Sequence, residues 1–310
     1  MIFAAGGLMA CIALIWLAGS YISSPCNQRV ELPADLGCEP VQFRSDSGSL
    51  IRGSFIQGQD GKGAIILMHG IRGSRAAMAE HARFLSKAGF SVLLFDFQCH
   101  GESPGKTMTF GLLESKDAQA AVRFLRERLP NEKVGALGCS LGGAAAVLSN
   151  PPLDVQASVI EMVYSEIKTA VANRLAIRLG NWARIFTPLL TWQLHPRLGY
   201  AVEAFSPANA IKQMRCPKLI IGGSKDRHTT EAETKALFAA ATEPKELWIV
   251  PGAAHEDLHR YTQEMYEERL TKILSGSSFA RTGRNFAGEP LAVRLYRQEG
   301  GLYSRPDARC

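Results

Sequence analysis

The 310-residue sequence lacks the features that mark several specialised classes of protein. It has no run of five or more like charges and a net charge of only +6, which argues against a nucleic-acid-binding protein. Its seven cysteines include no Cys-x-x-Cys pair and no Cys/His spacing suited to zinc. Free thiols fit their wide spacing better than a Cys26–Cys38 disulfide, which stays open. Hydrophobic residues make up 46% of the chain, so collagen-like and wholly disordered proteins are excluded.

Charged side chains are also missing from residues 1–28. An apolar run of about 22 residues is long enough to cross a hydrocarbon core of roughly 30 Å, so we predict a transmembrane anchor over residues 1–24. The predicted protein is then membrane-bound by a single pass, with its globular part facing outward. Ala18-Gly19-Ser20 resembles a signal-peptide cleavage site, so a secreted or periplasmic protein remains an alternative, as does a buried helix.

The rest of the chain alternates between short apolar segments and segments with helical spacing. An opening hairpin is predicted, followed by this alternation, which indicates a mostly parallel sheet with helices on both faces. The predicted strands are 41–44, 50–57, 64–68, 91–95, 133–137, 155–163, 218–221 and 246–250. The predicted helices are 74–87, 113–129, 141–148, 230–241 and 258–274.

A Gly-x-Ser-x-Gly motif, Gly138-Cys139-Ser140-Leu141-Gly142, follows one predicted strand and opens an Ala-rich helix. This context is that of a nucleophile elbow, in which a strained turn projects the serine hydroxyl above the sheet. A Gly-rich turn with a capping serine has the same sequence but needs no such context. We therefore predict Ser140 as a nucleophile.

A serine hydroxyl needs a base, and after such an elbow an acid and then a histidine follow along the chain. His255 comes just after the last predicted strand and Asp226 ends the turn after the preceding one, so we predict them as base and orienting acid. The alternatives for the base are His195, His228 and His259, and those for the acid are Glu161 and Glu166.

Two backbone N–H groups are expected to stabilise negative charge beside Ser140. One belongs to Leu141, the residue after the nucleophile, and the other to Ile71 in the turn His69-Gly70-Ile71-Arg72-Gly73. Their side chains matter little for this role, so only their positions support the prediction.

These motifs resemble the α/β-hydrolase superfamily, in particular its serine aminopeptidase-like and lysophospholipase-like branch. The segment from Asp96 to Ser103 is similar to the Asp-x-Arg-Gly-His-Gly-x-Ser loop of that branch, with Gln98 and Cys99 replacing Arg and Gly. We read Asp96 and His100 as residues that fix this loop. The resemblance covers residues 38–275 and implies an α/β-hydrolase fold that hydrolyses esters, thioesters or peptides without a metal or organic cofactor.

The domain plan follows from these segments: an α/β-hydrolase domain over residues 25–275 and a disordered basic tail over 276–310. The resemblance implies that residues 166–205, which we call the cap insert, form a small helical cap over the active site. The cap insert and the tail each carry a net charge of +3, which together equals that of the chain. One hypothesis is that both contact anionic lipid headgroups, and the alternative is a solvated helix face and an idle tail.

The sequence thus predicts a serine hydrolase that cleaves a small-molecule carboxylic ester, such as an acyl ester or lysolipid, through an acyl-enzyme. Its predicted partners are that ester and, through residues 1–24, a membrane, but no nucleic acid. The alternatives are an amidase, aminopeptidase or thioesterase of the same fold, and a non-catalytic binding module built on it.

Overall fold

The computed structural model describes residues 2–276 of the chain, with side chains from residue 12 onward. The predicted hairpin and every predicted strand are present, and strand ends differ from the prediction by a few residues. The strands are β1 (Cys26–Asn27), β2 (Glu39–Arg44), β3 (Leu50–Ile56), β4 (Ala64–Met68), β5 (Ser91–Phe95), β6 (His100–Gly101), β7 (Val134–Cys139), β8 (Ala157–Glu161), β9 (Lys218–Gly223) and β10 (Lys245–Val250).

Eight of these strands form one sheet in the order β10-β9-β8-β7-β4-β5-β3-β2. All neighbours are parallel except those of β3, which runs antiparallel to both β2 and β5. The two-residue strands β1 and β6 pair separately, Cys26 with His100 and Asn27 with Gly101. The predicted α/β-hydrolase fold with a mostly parallel sheet is therefore confirmed.

The helices cover both faces of the sheet. They are α1 (Ile2–Ile22), α2 (Ala79–Lys87), α3 (Leu112–Arg128), α4 (Leu141–Val147), α5 (Ile167–Leu179), α6 (Thr187–Trp192), α7 (Leu194–Leu198), α8 (Pro207–Ala210), α9 (Glu231–Ala240), α10 (Leu258–Tyr261) and α11 (Gln263–Leu274). Central strand β4 is fully buried, and its side chains alternate between two cores. Ile65 and Leu67 pack with α2 and α11, whereas Ile66 and Met68 pack with α3 and α4.

Two predicted boundaries are wrong in ways that affect the site. The single helix predicted over 258–274 is divided at Thr262, which leaves helical geometry (φ −139°, ψ 49°) between α10 and α11. The Asp257 carboxylate caps the first of these short helices. Strand β7 continues to Cys139, two residues beyond its predicted end, so it leads directly into Ser140.

The cap insert is helical, as predicted, and it packs against α1. Gln193 Nε2 donates a hydrogen bond to the Ile15 carbonyl (3.1 Å), and Arg197 Nη1 donates to Ser20 Oγ (2.8 Å). The Arg197 guanidinium also lies 3.9 Å from the centre of the Trp16 ring. The described end of α1 is therefore joined to the cap insert rather than separated from the hydrolase domain.

Among the described residues, no helix combines the length and apolar character needed to cross a membrane, so the predicted transmembrane anchor is not confirmed. The predicted disordered tail lies outside the described residues, apart from Gly276.

Candidate active site

Ser140 occupies a sharp turn between β7 and α4. Its backbone is held at φ 51° and ψ −107°, an unfavourable conformation for a residue with a side chain. The two motif glycines permit this turn, because a Cβ on Gly138 would overlap the Gly142 backbone and a Cβ on Gly142 would overlap the Met68 carbonyl. The sequence therefore folds here into the strained strand-to-helix turn that was predicted.

The structure brings Asp226 and His255 together. Oδ2 of Asp226 lies 2.7 Å from Nδ1 of His255. Oδ1 of the same carboxylate accepts hydrogen bonds from the backbone N–H groups of His228 (2.7 Å) and Thr229 (2.9 Å). Asp226 is buried, whereas 21% of the His255 side chain is exposed. The aspartate thus fixes the orientation of the imidazole through Nδ1. Among the described residues, the second ring nitrogen, Nε2, has no hydrogen-bond partner.

The loop 69–73 lies next to the serine, with the ideal Cβ position of Gly70 3.7 Å from Ser140 Cβ. In the described part of the chain, the N–H groups of Ile71 and Leu141 donate no hydrogen bond, so both are available to a ligand. His69 holds this loop. It accepts a hydrogen bond at Nε2 from the Phe97 N–H (3.2 Å), so its Nδ1–H donates to the Gly70 carbonyl (2.7 Å).

Burial of the His69 ring limits this residue to a structural role in the loop 69–73. The ring is fully buried, and desolvation lowers its pKa to about 3, with the neighbouring His100 adding to the effect. His69 is therefore neutral and has both ring nitrogens engaged. The sequence placed His69 in the turn 69–73, but only the structure shows that its ring holds this turn through hydrogen bonds.

The alternative acids lie elsewhere. The Glu161 carboxyl group is buried and accepts a hydrogen bond from the Tyr266 hydroxyl. Glu166 is exposed at the beginning of α5. Among the described residues, neither forms a hydrogen bond with a histidine.

Each alternative base either lies away from the Ser140 turn or has no carboxylate bonded to its ring. His195 is exposed in the cap insert, and His259 contacts Glu267. The ring of His228 lies 5.1 Å from that of His255, and burial lowers its pKa. Because its backbone rather than its ring contacts Asp226, His228 holds the aspartate.

A buried ion pair that the sequence did not indicate fixes the neighbouring loop. Arg75 donates to Asp96 through its backbone N–H (2.6 Å) and its guanidinium, which also reaches Glu102. The Glu102 N–H donates to the second Asp96 oxygen (3.0 Å). Asp96 therefore has the loop-fixing role predicted for it. The only signal for Arg75 was its place two residues after the loop 69–73.

The cysteines near the site are free thiols. Cys99 adopts a positive φ of 64°, which explains why similar loops have glycine at this position. Cys139 is half-buried against the core, and burial raises the pKa of its thiol well above the usual value. Cys26 and Cys38 are not joined by a disulfide.

An apolar cavity of about 360 Å³ opens beside Ser140. Its walls come from the loop 69–73, the cap insert and the end of α1 up to Ser23. Ile167, Val171, Leu175 and Leu179 of α5 line it with helical spacing. In the part of the chain that the structure describes, no Asp or Glu lines this cavity, and its charged lining residues are all arginines: Arg72, Arg174, Arg178 and Arg197.

Comparison with known proteins gives consistent results. A family model described as serine aminopeptidase, S33, matches residues 59–204. The uncharacterized protein YfhR of Escherichia coli is 27% identical over 261 residues, which cover 80% of this chain and 84% of that protein. The uncharacterized protein YqkD of Bacillus subtilis is 24% identical over 230 residues, covering 72% of this chain and 75% of that protein.

Solved structures share the fold. An esterase of Pyrococcus furiosus has a TM-score of 0.67 at 24% identity and covers 82% of this chain and 98% of its own. An esterase from Exiguobacterium antarcticum has a TM-score of 0.56 at 14% identity, covering 76% and 99%. With the sheet described above, these likenesses show the α/β-hydrolase fold, and the family-model match relates the chain to hydrolases of that fold.

Proposed function

We propose that this hydrolase cleaves carboxylic esters through an acyl-enzyme intermediate on Ser140. The observation that carries the proposal is the arrangement at one sheet edge. Ser140 stands on a strained turn in the wall of an apolar cavity, beside two unpaired backbone N–H groups, and the neighbouring turns carry the paired Asp226 and His255.

The proposed reaction uses these groups in turn. Ser140 Oγ attacks the ester carbonyl carbon and loses its proton to His255 Nε2, while the carbonyl oxygen becomes an oxyanion held by the Ile71 and Leu141 N–H groups. Asp226 stabilises the imidazolium. The tetrahedral intermediate then expels the alcohol, which takes the proton from His255. Water attacks the acyl-enzyme by the same route in reverse and releases the acid.

In the described structure, Ser140 Oγ makes no hydrogen bond with His255. Such contacts are often long in free enzymes and tighten when substrate binds. We therefore assign the serine–imidazole contact to the substrate complex.

The nucleophile is tested by covalent labelling. Purified protein should react with a fluorophosphonate probe at Ser140, and the Ser140→Ala variant should not. The variant should also lose on the order of 10⁶ in kcat towards p-nitrophenyl esters. Equal labelling of both proteins would show that Ser140 is not the nucleophile, and labelling of neither would favour the alternative of a non-catalytic binding module.

The cavity lining favours an acyl ester over an aminoacyl substrate. An aminopeptidase must bind a positively charged α-amino group, which needs a carboxylate or similar acceptor. The arginines and aliphatic side chains around Ser140 suit an acyl chain and an anionic group instead. A panel of p-nitrophenyl acyl esters, acyl thioesters and aminoacyl p-nitroanilides separates these functions. A kcat/KM for the anilides above that for the esters would overturn the ester assignment.

We also propose that the protein acts at a membrane with anionic headgroups. Large apolar side chains of the cap insert are exposed, including Trp182 (62%), Ile185 (70%) and Trp192 (63%). The apolar side chains of α1, which packs on the cap insert, are exposed as well, such as Leu14 (66%). Contiguous apolar surface of this kind is typical of an interaction site, and tryptophan suits the membrane interface.

Vesicle flotation of the full-length protein tests this second proposal. Binding should be stronger to phosphatidylglycerol vesicles than to phosphatidylcholine vesicles. The double variant Trp182→Ser/Ile185→Ser should float several-fold less, whereas Met265→Ser, a matched change at an exposed residue of α11, should behave as wild type. Equal flotation of all three proteins, or no difference between the vesicles, would contradict it.

A further inference from the structure

A second group of metal-binding residue types lies apart from the proposed catalytic site. His81 comes from α2, whereas Asp257 and His259 lie at the beginning of α10. One potential ligand atom from each of the three side chains lies within 4.8 Å of the other two. Both histidines are 5% exposed and Asp257 is exposed, so the group is reached from solvent on one side.

The hydrogen bonds of His81 define which of its ring nitrogens is available. The Tyr266 hydroxyl donates to Glu161, so its oxygen accepts a hydrogen bond from His81 Nε2–H (3.1 Å). The lone pair of His81 is therefore on Nδ1. This nitrogen is buried and, within the described part of the chain, has no hydrogen-bond partner. Burial lowers the pKa of His81 to about 4, which keeps the ring neutral.

His259 has the same arrangement. Its Nε2 lies 2.8 Å from Glu267 Oε1, so in the neutral ring this nitrogen carries the proton and the lone pair is on Nδ1. A metal-binding histidine commonly donates its second ring N–H to a carboxylate or another acceptor, which fixes its tautomer and orientation. Both histidines have such an acceptor. Asp257 uses one oxygen to cap α10 through the Arg260 N–H (3.1 Å) and has a second oxygen for a ligand.

We propose that His81 Nδ1, His259 Nδ1 and a carboxylate oxygen of Asp257 bind one divalent transition-metal ion of the zinc type, with water as the fourth ligand. Two imidazoles and one carboxylate suit this class, whereas Ca²⁺ and Mg²⁺ prefer oxygen ligands throughout. Tetrahedral ligands at about 2.1 Å from an ion lie roughly 3.4 Å apart.

The site would have a structural role in the hydrolase. Asp257 is two residues beyond His255, and His81 belongs to α2. The ion would therefore join the loop that carries His255 to the helix beneath it. It would touch neither Ser140 nor the substrate cavity, so the proposed ester hydrolysis does not depend on it.

Metal binding is measured directly on the full-length protein after chelator treatment and removal of any affinity tag. Titration with Zn²⁺ in a calorimeter should give one site per chain with micromolar or tighter affinity. Co²⁺ should produce the visible absorption of a tetrahedral site. A hundredfold excess of Zn²⁺ over Kd should raise Tm by roughly 5 °C.

Asp257→Asn is the informative variant, because Asn keeps the helix cap and the exposed position keeps the fold. It should weaken Zn²⁺ binding at least tenfold and remove most of the Tm shift, and His259→Gln should do so more strongly. Glu268→Gln, an exposed carboxylate on α11, is the matched control and should bind as wild type. His228→Gln should also bind Zn²⁺ as wild type does. That result would exclude Zn²⁺ binding at the His228–His255 pair.

Unchanged affinity in both Asp257→Asn and His259→Gln would overturn the proposal. So would a wild-type affinity weaker than millimolar, which corresponds to adventitious binding only. Fluorophosphonate labelling of Ser140 is independent of these measurements, so the two proposals fail separately.

Discussion

The ends of β8 and β9 lie side by side in the sheet, and each leads to a buried carboxyl group, but the two groups have opposite surroundings. Asp226, in the turn after β9, receives two backbone N–H groups and the His255 ring. Among the described residues, the carboxyl group of Glu161, the last residue of β8, accepts a hydrogen bond only from the Tyr266 hydroxyl, and burial raises its pKa to about 8. The difference shows that burial at this edge of the sheet is not sufficient for a carboxyl group to act as the counter-ion of a histidine. N–H donors must also be present to stabilise its charge.

The strongest test of this comparison replaces the carboxyl groups of Asp226 and Glu161 by amides, one at a time. Asp226→Asn should lower kcat for p-nitrophenyl esters by about 10⁴, because the amide no longer orients His255 or stabilises the imidazolium. Glu161→Gln is the matched change and should stay within a few-fold of wild type. If Glu161→Gln had the large loss instead, the roles of the two carboxyl groups would be reversed.

Asp96 extends the comparison to a carboxylate that has several N–H donors but a structural role. Asp96→Asn leaves the Arg75 guanidinium buried without its main partner, so the free energy of unfolding should fall by about 3 kcal/mol or more. Asp154→Asn removes an exposed ion pair with Arg126 and should cost less than about 0.5 kcal/mol. Urea unfolding followed by circular dichroism measures both, and equal costs would contradict the distinction.

The raised pKa of Glu161 predicts a pH dependence of stability. The folded protein keeps the Glu161 proton up to about pH 8, whereas the unfolded chain loses it near the ordinary glutamate pKa of 4.5. This contribution is therefore fully present below pH 4.5 and is lost as the pH rises towards 8, by at most about 1.4 kcal/mol per pH unit.

Glu161→Gln removes the titration, so the difference in stability between variant and wild type should move in the variant's favour from pH 5 to pH 8. Urea titrations at several pH values measure this difference. A constant difference in stability from pH 5 to pH 8 would show that folding does not change the protonation of Glu161 in this range.

The smallest expected effect concerns the cavity, which neither carboxyl group contacts. Leu175→Phe narrows it and should shift the preference from long to short acyl esters by about 10-fold in kcat/KM, without changing the reactivity of Ser140 towards the fluorophosphonate. Leu189→Phe, at an exposed residue of the cap insert, is the control and should leave the preference unchanged. An equal shift in both variants would mean that Leu175 does not act through the cavity.

Local sequence patterns predicted most of the fold. The continuous apolar run of β4 and the alternation of strands and helices depend on interactions between near neighbours, so their periods are visible in the sequence. The helix break at Thr262 was missed, because the apolar spacing continues across it and only the Asp257 cap marks the new start. The described part of α1 was predicted to be separate, but its contacts with Gln193 and Arg197 depend on distant segments.

The sequence by itself determined the serine turn, since the motif from Gly138 to Gly142 lies within one strand, one turn and one helix, and Gly138 is required by its contact with the Gly142 backbone. It also narrowed the acid to Asp226, Glu161 and Glu166 and the base to four histidines. Only the tertiary structure decided which acid meets which base, how His69 and Arg75 hold their loops, and that His81 lies beside Asp257 and His259. The physical reason is that hydrogen bonds and burial between remote segments leave no periodic signal in the chain, because they arise only when the sheet brings the ends of its strands to one edge.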